Sequence, residues 1–218
     1  MIPLLHDFTG ATVLVFGGGP VAARKARKFA REARVVVVSP GFAERDFGGA
    51  ERVRAAPSPD DVDGWVERFD PALVVAATDD ETVNAAAADA ARAAGALVNR
   101  TDRHGDREVG SVVVPATVRD DPVVAAVATG GTAPALSKHL RERIEGEIDG
   151  AGELADLVGD LREELQAADV PPAERRDAVR TVVRSSAVWK GLRRGDTNLQ
   201  QVVRDVISFE DDSPGDPS

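Results

Sequence analysis

Thr12-Val13-Leu14-Val15-Phe16-Gly17-Gly18-Gly19-Pro20-Val21-Ala22 is the stretch whose reading decides the fold. An apolar run of strand formers ends at three glycines, and an amphipathic helical pattern begins at once. Val13 to Phe16 read as a buried strand. The spacing Gly17-x-Gly19-x-x-Ala22 matches the dinucleotide fingerprint. Gly17 allows the tight turn, Gly19 lets backbone approach a pyrophosphate, and Ala22 is small enough for close helix–strand packing. The pyrophosphate is expected at the helix N-terminus, where unbonded N–H groups and the helix dipole favour an anion.

Working outward, Pro20 to Ala33 reads as the first helix, with Pro20 tolerated in its first turn. Arg24, Lys25, Arg27 and Lys28 read mostly as a solvated outer face. Val35 to Val38 is a second buried strand, so the two strands run parallel through a right-handed crossover. An acidic residue is expected near the end of that strand to hold the ribose hydroxyls. The chain has Ser39-Pro40-Gly41 instead, so the Ser39 hydroxyl and the backbone of Pro40 and Gly41 are expected at the ribose. The usual acid therefore does not separate NAD from NADP, and Arg45 reads as a surface residue.

Glu51 to Ala55 is a weak strand, Asp60 to Phe69 a short helix, and Leu73 to Ala77 a buried strand ending at Thr78. Thr78 stands at a strand's C-terminal end, where ligands bind in open α/β sheets, or else caps the alanine-rich helix of Glu81 to Ala94. Leu97-Val98 leads into the polar loop 99–107. From Gly110 the pattern changes. Ser111 to Pro115 and Val123 to Thr129 read as a hairpin, and Gly130-Gly131-Thr132 opens a helix to Ile148, with Thr132 as N-cap. Helices follow at Gly152 to Ala168, Pro172 to Leu192 and Asn198 to Ile207, and an acidic tail starts at Phe209. The fold class is α/β: a Rossmann-like parallel sheet, a small β-hairpin dimerisation region, then a C-terminal helical domain. The expected divisions are 1–110, 111–149, 150–208 and 209–218.

Composition narrows the functional classes. The 218 residues are 43% hydrophobic, with 37 acidic against 27 basic side chains and a net charge of −10. That balance argues against nonspecific nucleic-acid binding and resembles a salt-adapted surface. There is no cysteine, which excludes disulfides and thiolate chemistry. No apolar run approaches a membrane span and no signal peptide is visible, so a cytoplasmic protein is expected. His6, His104 and His139 show no metal-ligand spacing, and no resident metal is expected.

Four motifs occur in order: Val-Phe-Gly-Gly-Gly-Pro-Val-Ala-Ala-Arg-Lys (15–25), Ala-Ala-Thr-Asp-Asp-Glu-Thr-Val-Asn (76–84), Val-Asn-Arg-Thr-Asp (98–102) and Ala-Thr-Gly-Gly-Thr-Ala-Pro (128–134). Together they resemble precorrin-2 dehydrogenase, the dehydrogenase part of siroheme synthases, from Pro3 to Ile207. The resemblance implies NAD-dependent oxidation of precorrin-2 to sirohydrochlorin, iron insertion in some members, and a homodimer built through the hairpin and the helices after it. It places Gly17, Gly18, Gly19, Pro20 and Val21 at NAD, with Pro40 and Gly41 at the ribose end. Asp102 matches the family's functional carboxylate. Asn99 and Thr132 line the tetrapyrrole cleft beside Gly130 and Gly131, and Thr129 falls where some members carry serine.

Desaturation needs a hydride acceptor and a base, and Asp102 is the candidate base. Arg100, Arg103 and Arg107 are expected to offset the acidic surface where a polycarboxylate binds. The rival reading is a nucleotide-sensing regulatory module without chemistry. Such modules usually keep the acid after the second strand and need neither Asp102 nor the Gly130-Gly131 turn.

Overall fold

The computed structural model describes residues 2–103, 108–195 and 200–205. The chain divides into two compact units, Met1–Val114 and Pro115–Ser218. The first is built on a five-stranded parallel sheet in the order β3-β2-β1-β4-β5. Its strands are β1 (Thr12–Phe16), β2 (Arg34–Ser39), β3 (Glu51–Arg54), β4 (Leu73–Ala76) and β5 (Leu97–Arg100). The helices are α1 (Pro20–Phe29), α2 (Val62–Phe69), preceded by a 3-10 turn at Pro59–Asp61, and α3 (Glu81–Ala93). Strand order reverses between β1 and β4, which makes a switch point at their C-terminal ends.

The continuous apolar runs are explained by burial on both faces of the sheet. Leu14, Phe16, Val36, Val38, Val74 and Ala76 face α2 and α3, whereas Val13, Val15, Val35, Val37, Leu73 and Val75 face the α1 side. Three small residues, Ala22, Ala23 and Ala26, form the buried stripe of α1. That lets the helix lie close to the strands, as the fingerprint requires. At about 1.5–3 kcal/mol for each buried large apolar side chain, this double layer dominates the stability of the unit. Helix α1 stops at Phe29, short of Ala33. Both Glu32 and Ala33 turn their N–H groups back onto the Phe29 carbonyl.

In the second unit, β6 (Ala116–Asp120) and β7 (Val123–Val127) form an antiparallel hairpin turning at Asp121-Pro122. The hairpin therefore begins after Pro115, not at Ser111. Residues 110–112 instead run beside β5: Val98 N–H donates to Gly110 O at 3.2 Å and Val112 N–H to Val98 O at 2.7 Å. Four helices follow in part: α4 (Pro134–Glu147), α5 (Ala151–Ala167), α6 (Pro172–Arg184) and α7 (Ser186–Arg194), with 200–205 also helical. The single helix expected from Pro172 to Leu192 is broken at Ser185, whose extended ψ of 117° ends α6 while its side chain accepts from Val188 N–H to cap α7. Leu154, Leu161, Val182, Val188, Leu192 and Val203 make this unit's core. Residues 198–199 and 206–207 of the last expected helix, and the acidic tail, lie outside the described residues.

Candidate dinucleotide and substrate site

The glycine loop joins β1 to α1 at the switch point. Gly17 has φ of +115°, and a Cβ on it would lie 2.3 Å from the Ala77 carbonyl oxygen. No L side chain suits that conformation or that space. A Cβ on Gly18 would lie 1.9 Å from the Gly41 carbonyl oxygen, so this glycine locks the first loop against the second. Gly19 differs: its φ is −78° and a Cβ would meet nothing within 4 Å. The protein itself makes no demand for glycine there, whereas an incoming pyrophosphate would. Gly19 is the N-cap of α1 and, having no side chain, leaves the first-turn N–H groups uncapped by a side chain. Pro20 lacks an N–H, and the first-turn N–H groups of Val21 and Ala22 have no partner within the helix. The loop fits a dinucleotide.

At the end of β2, Ser39 is buried and its hydroxyl donates to Gly41 O at 2.7 Å. Ser39 thus holds the shape of its own loop, while Pro40 and Gly41 are exposed. Arg54, in register with Ser39 on β3, donates from Nη1 to Pro40 O at 2.9 Å. Its guanidinium lies 5.8 Å from the Phe42 ring centroid, and that of Arg52 lies 5.7 Å and 5.8 Å from Phe42 and Phe47.

Asp80, not Thr78, is the N-cap of α3; its carboxylate accepts from Thr82 and Val83 N–H. These bonds hold the Asp80 carboxyl below its ordinary value, the Thr82 hydroxyl contributing most. Thr78 is fixed by Asn84, a residue that sequence reasoning passed over. Asn84 is 1% exposed; its amide donates to Thr78 O at 2.9 Å and its oxygen accepts from Thr78 N–H at 3.1 Å. The Thr78 hydroxyl donates to the same oxygen at 2.8 Å. An asparagine ending a quoted motif inside an alanine-rich helix was the available signal.

Past β5, Arg100 grips Asp102 with two bonds, Nε to Oδ1 at 3.1 Å and Nη2 to Oδ2 at 2.5 Å. The Arg100 bond, with smaller help from Asn84, lowers the Asp102 pKa from 3.8, and the Arg100 pKa rises in turn. Asp102 is therefore ionised at neutral pH, ready to accept a proton but weakly basic. Arg100 and Arg103 do not stand ready for a polycarboxylate: Arg103 lies 3.5 Å from Glu81 and 3.4 Å from Glu108. Arg107 and His104 lie outside the described residues. Asn99, 6% exposed, donates from its amide to Val112 O at 2.7 Å, yet its buried Oδ1 has no partner among the described residues. A buried acceptor left so costs about 1–3 kcal/mol.

In the second unit, Gly130 and Gly131 take φ of +68° and +91° and turn the chain from β7 into α4. Thr132 is not the N-cap of α4. Ala133 holds that place, and the Thr132 hydroxyl donates to Thr129 O at 2.7 Å. With Pro134 at the first helical position, the turn sits one residue later than the sequence suggested. The Thr129 hydroxyl meets Ala133 O at 3.1 Å and Ser137 Oγ at 2.9 Å. Among the described residues no group of three or more His, Cys, Asp or Glu could hold a metal ion, and no helix is long and apolar enough to cross a membrane.

Comparison with known proteins agrees with this geometry. The chain is 37% identical to a siroheme synthase of Stutzerimonas stutzeri (strain A1501) over 182 residues, 80% of this chain and 37% of that protein. It is 30% identical to siroheme synthase 1 of Aeromonas salmonicida (strain A449) over 235 residues, 99% of this chain and 48% of that protein. The chain thus spans less than half the length of these curated relatives. The solved structure of SirC, precorrin-2 dehydrogenase, shares the fold with a TM-score of 0.64 at 20% identity, covering 95% of this chain and 100% of that one. Residues 4–116, which carry the glycine loop and all five parallel strands, match the family described as "Putative NAD(P)-binding". By that match the chain belongs to this NAD(P)-binding family.

Proposed function

We propose that the protein is an NAD-dependent dehydrogenase that oxidises precorrin-2 to sirohydrochlorin, as a cytoplasmic homodimer. The end of β5 carries the reading. There a buried Asn99 oxygen lacks a partner among the described residues and an Asp102 carboxylate is held ionised. A nucleotide-sensing module needs neither. NAD supplies the hydride acceptor when bound. Gly17, Gly18, Gly19, Pro20 and Val21 hold its pyrophosphate, and the exposed backbone of Pro40 and Gly41 holds the ribose end. Thr78, braced by Asn84, closes the site beside Ala77. Asn99 accepts an N–H of the substrate, Gly130, Gly131 and Thr132 belong to the tetrapyrrole subsite, and Asp102 takes the proton released from carbon.

The dimer reading rests on the second unit. Helix α4 has no buried residue and Leu136 is 48% exposed, which leaves a surface that a second copy would cover. The test of function is an anaerobic assay of precorrin-2 with NAD, followed by absorbance, with and without Fe²⁺. Oxidation without iron is expected, and the iron arm reads metal insertion separately. Gly19→Asp, which sets a carboxylate against the pyrophosphate, is expected to abolish NAD binding in calorimetry while leaving the fold. Equal affinities for the two proteins would remove the assignment of the loop.

A further inference from the structure

We propose that the adenosine end of the dinucleotide site accepts a 2′-phosphate on Arg54, so that the protein binds NADP about as well as NAD. The inference rests on the dinucleotide reading of the glycine loop and deepens it. In an NAD-selective site, an acid at the end of the second strand pairs with the ribose hydroxyls and repels a 2′-phosphate. Here Ser39 occupies that strand end and is buried, with its hydroxyl proton directed at Gly41 O. No carboxylate replaces it at Pro40 or Gly41.

What the fold brings there instead is cationic. The parallel register sets Arg54 beside Ser39, and Ala55 N–H donates to Ser39 O at 3.1 Å, so the ends of β2 and β3 are tied together. The Arg54 bond to Pro40 O fixes the guanidinium at the very loop that would hold the ribose. That bond uses Nη1; the remaining N–H groups suit a phosphate, which arginine binds through a fork of donors. Stacking beside Phe42 limits the side chain's freedom, and Arg52 adds a second cation on the same aromatic pair. Among the described residues neither arginine is paired with a carboxylate. The opposing charges nearby in the chain are Glu44, Asp46 and Glu51; Asp46 is turned to accept from Gly48 N–H at 2.7 Å and Glu51 is paired with Arg34 at 2.7 Å. The sequence hides this, because Glu-Arg-Val-Arg on a weak edge strand reads as a solvated edge.

The experiment is calorimetric titration of NAD and NADP into the full chain and into Arg54→Gln, which keeps a donor for Pro40 O and loses the charge. The wild type is expected to bind both within about threefold. Arg54→Gln is expected to weaken NADP by about tenfold or more, the scale of a charge-assisted phosphate contact, and to move NAD less than twofold. NADP binding at least about thirtyfold weaker than NAD in the wild type would overturn the proposal and leave the dinucleotide reading standing. Equal losses for both ligands in Arg54→Gln would overturn it too, making Arg54 a brace of the loop. Binding of neither ligand by a folded wild type would overturn both the proposal and the reading beneath it.

Discussion

The two units of the chain bury their apolar residues very differently. In the first, every residue from Val13 to Phe16 and from Leu73 to Ala76 is fully buried, between helices on one face and α1 on the other. In the second, the helices α5 to α7 share a core, but the hairpin buries only Val118 and α4 buries nothing. An apolar layer covered on both sides is complete within one chain. A hairpin and helix with half-covered apolar residues are not. The contrast teaches that the nucleotide site stands on a self-sufficient scaffold, whereas the segment from Ala116 to Glu147 calls for something to cover it.

The largest expected effect breaks the scaffold. Gly17→Val forces a β-branched residue to φ of +115° and into the Ala77 carbonyl. A loss of about 4 kcal/mol or more is expected, a fall of about 10 °C in melting temperature, together with loss of NAD binding. Gly19→Val, with ordinary φ and open space, is expected to melt within a few degrees of the wild type and still lose NAD. Thermal scans with calorimetry check both; similar melting of the two variants would refute the division of labour in the loop.

Next comes the chemistry. Asp102→Ala is expected to lower turnover by about 10²–10⁴, the usual contribution of a positioned acid or base, and to leave NAD affinity nearly unchanged. Asp102→Asn keeps the shape and is expected to be almost as inactive. Wild-type oxidation by a folded, NAD-binding Asp102→Ala would show the carboxylate to be only the partner of Arg100. Survival of oxidation with loss of iron insertion would assign it to chelation. A smaller effect sharpens the second unit. Leu136→Asp puts a charge on the uncovered face of α4 and is expected to weaken self-association about 10–100-fold, measured by sedimentation at high salt. An unchanged monomer or dimer population would move the interface elsewhere.

The strands and the glycine loop were legible because double-sided burial leaves unbroken valine runs and because Gly17 and Ala22 stand at fixed spacing. Details set by competition between neighbours were not. Thr132 looked like a cap, but Pro134 fixed the helix start and the hydroxyl found Thr129 O. The break at Ser185 left only the pair Ser185-Ser186 in an otherwise helical pattern. Arg100 and Arg103 read as cations awaiting substrate, yet folding sets them against Asp102, Glu81 and Glu108. Asn84 and Arg54 were missed for a related reason. Their meaning lies in what the register and the helix bring beside them, Thr78 in one case and the Pro40 carbonyl in the other.

The smallest expected effect tests the boundary of the self-sufficient core. Lys25 lies on α1 between the buried Ala22 and Ala26, and burial foremost, then Lys28 and Arg24, pushes its pKa down from 10.5 to about 8. The cation is disfavoured in the folded chain. Below about pH 8 both states carry the proton and the penalty is complete. Between about pH 8 and 10.5 the unfolded chain binds more protons than the folded one, so stability rises with pH. Lys25→Met, which keeps the apolar stem, is expected to stabilise the protein by about 1–2 kcal/mol at pH 7, after allowance for the solvent that still reaches the amine. That advantage should fade to nothing by about pH 11. Urea unfolding of both proteins at the two pH values measures it, and the difference between them cancels every other titrating group. A variant equally destabilised at both would show Lys25 to matter for packing alone, and the core to end before it.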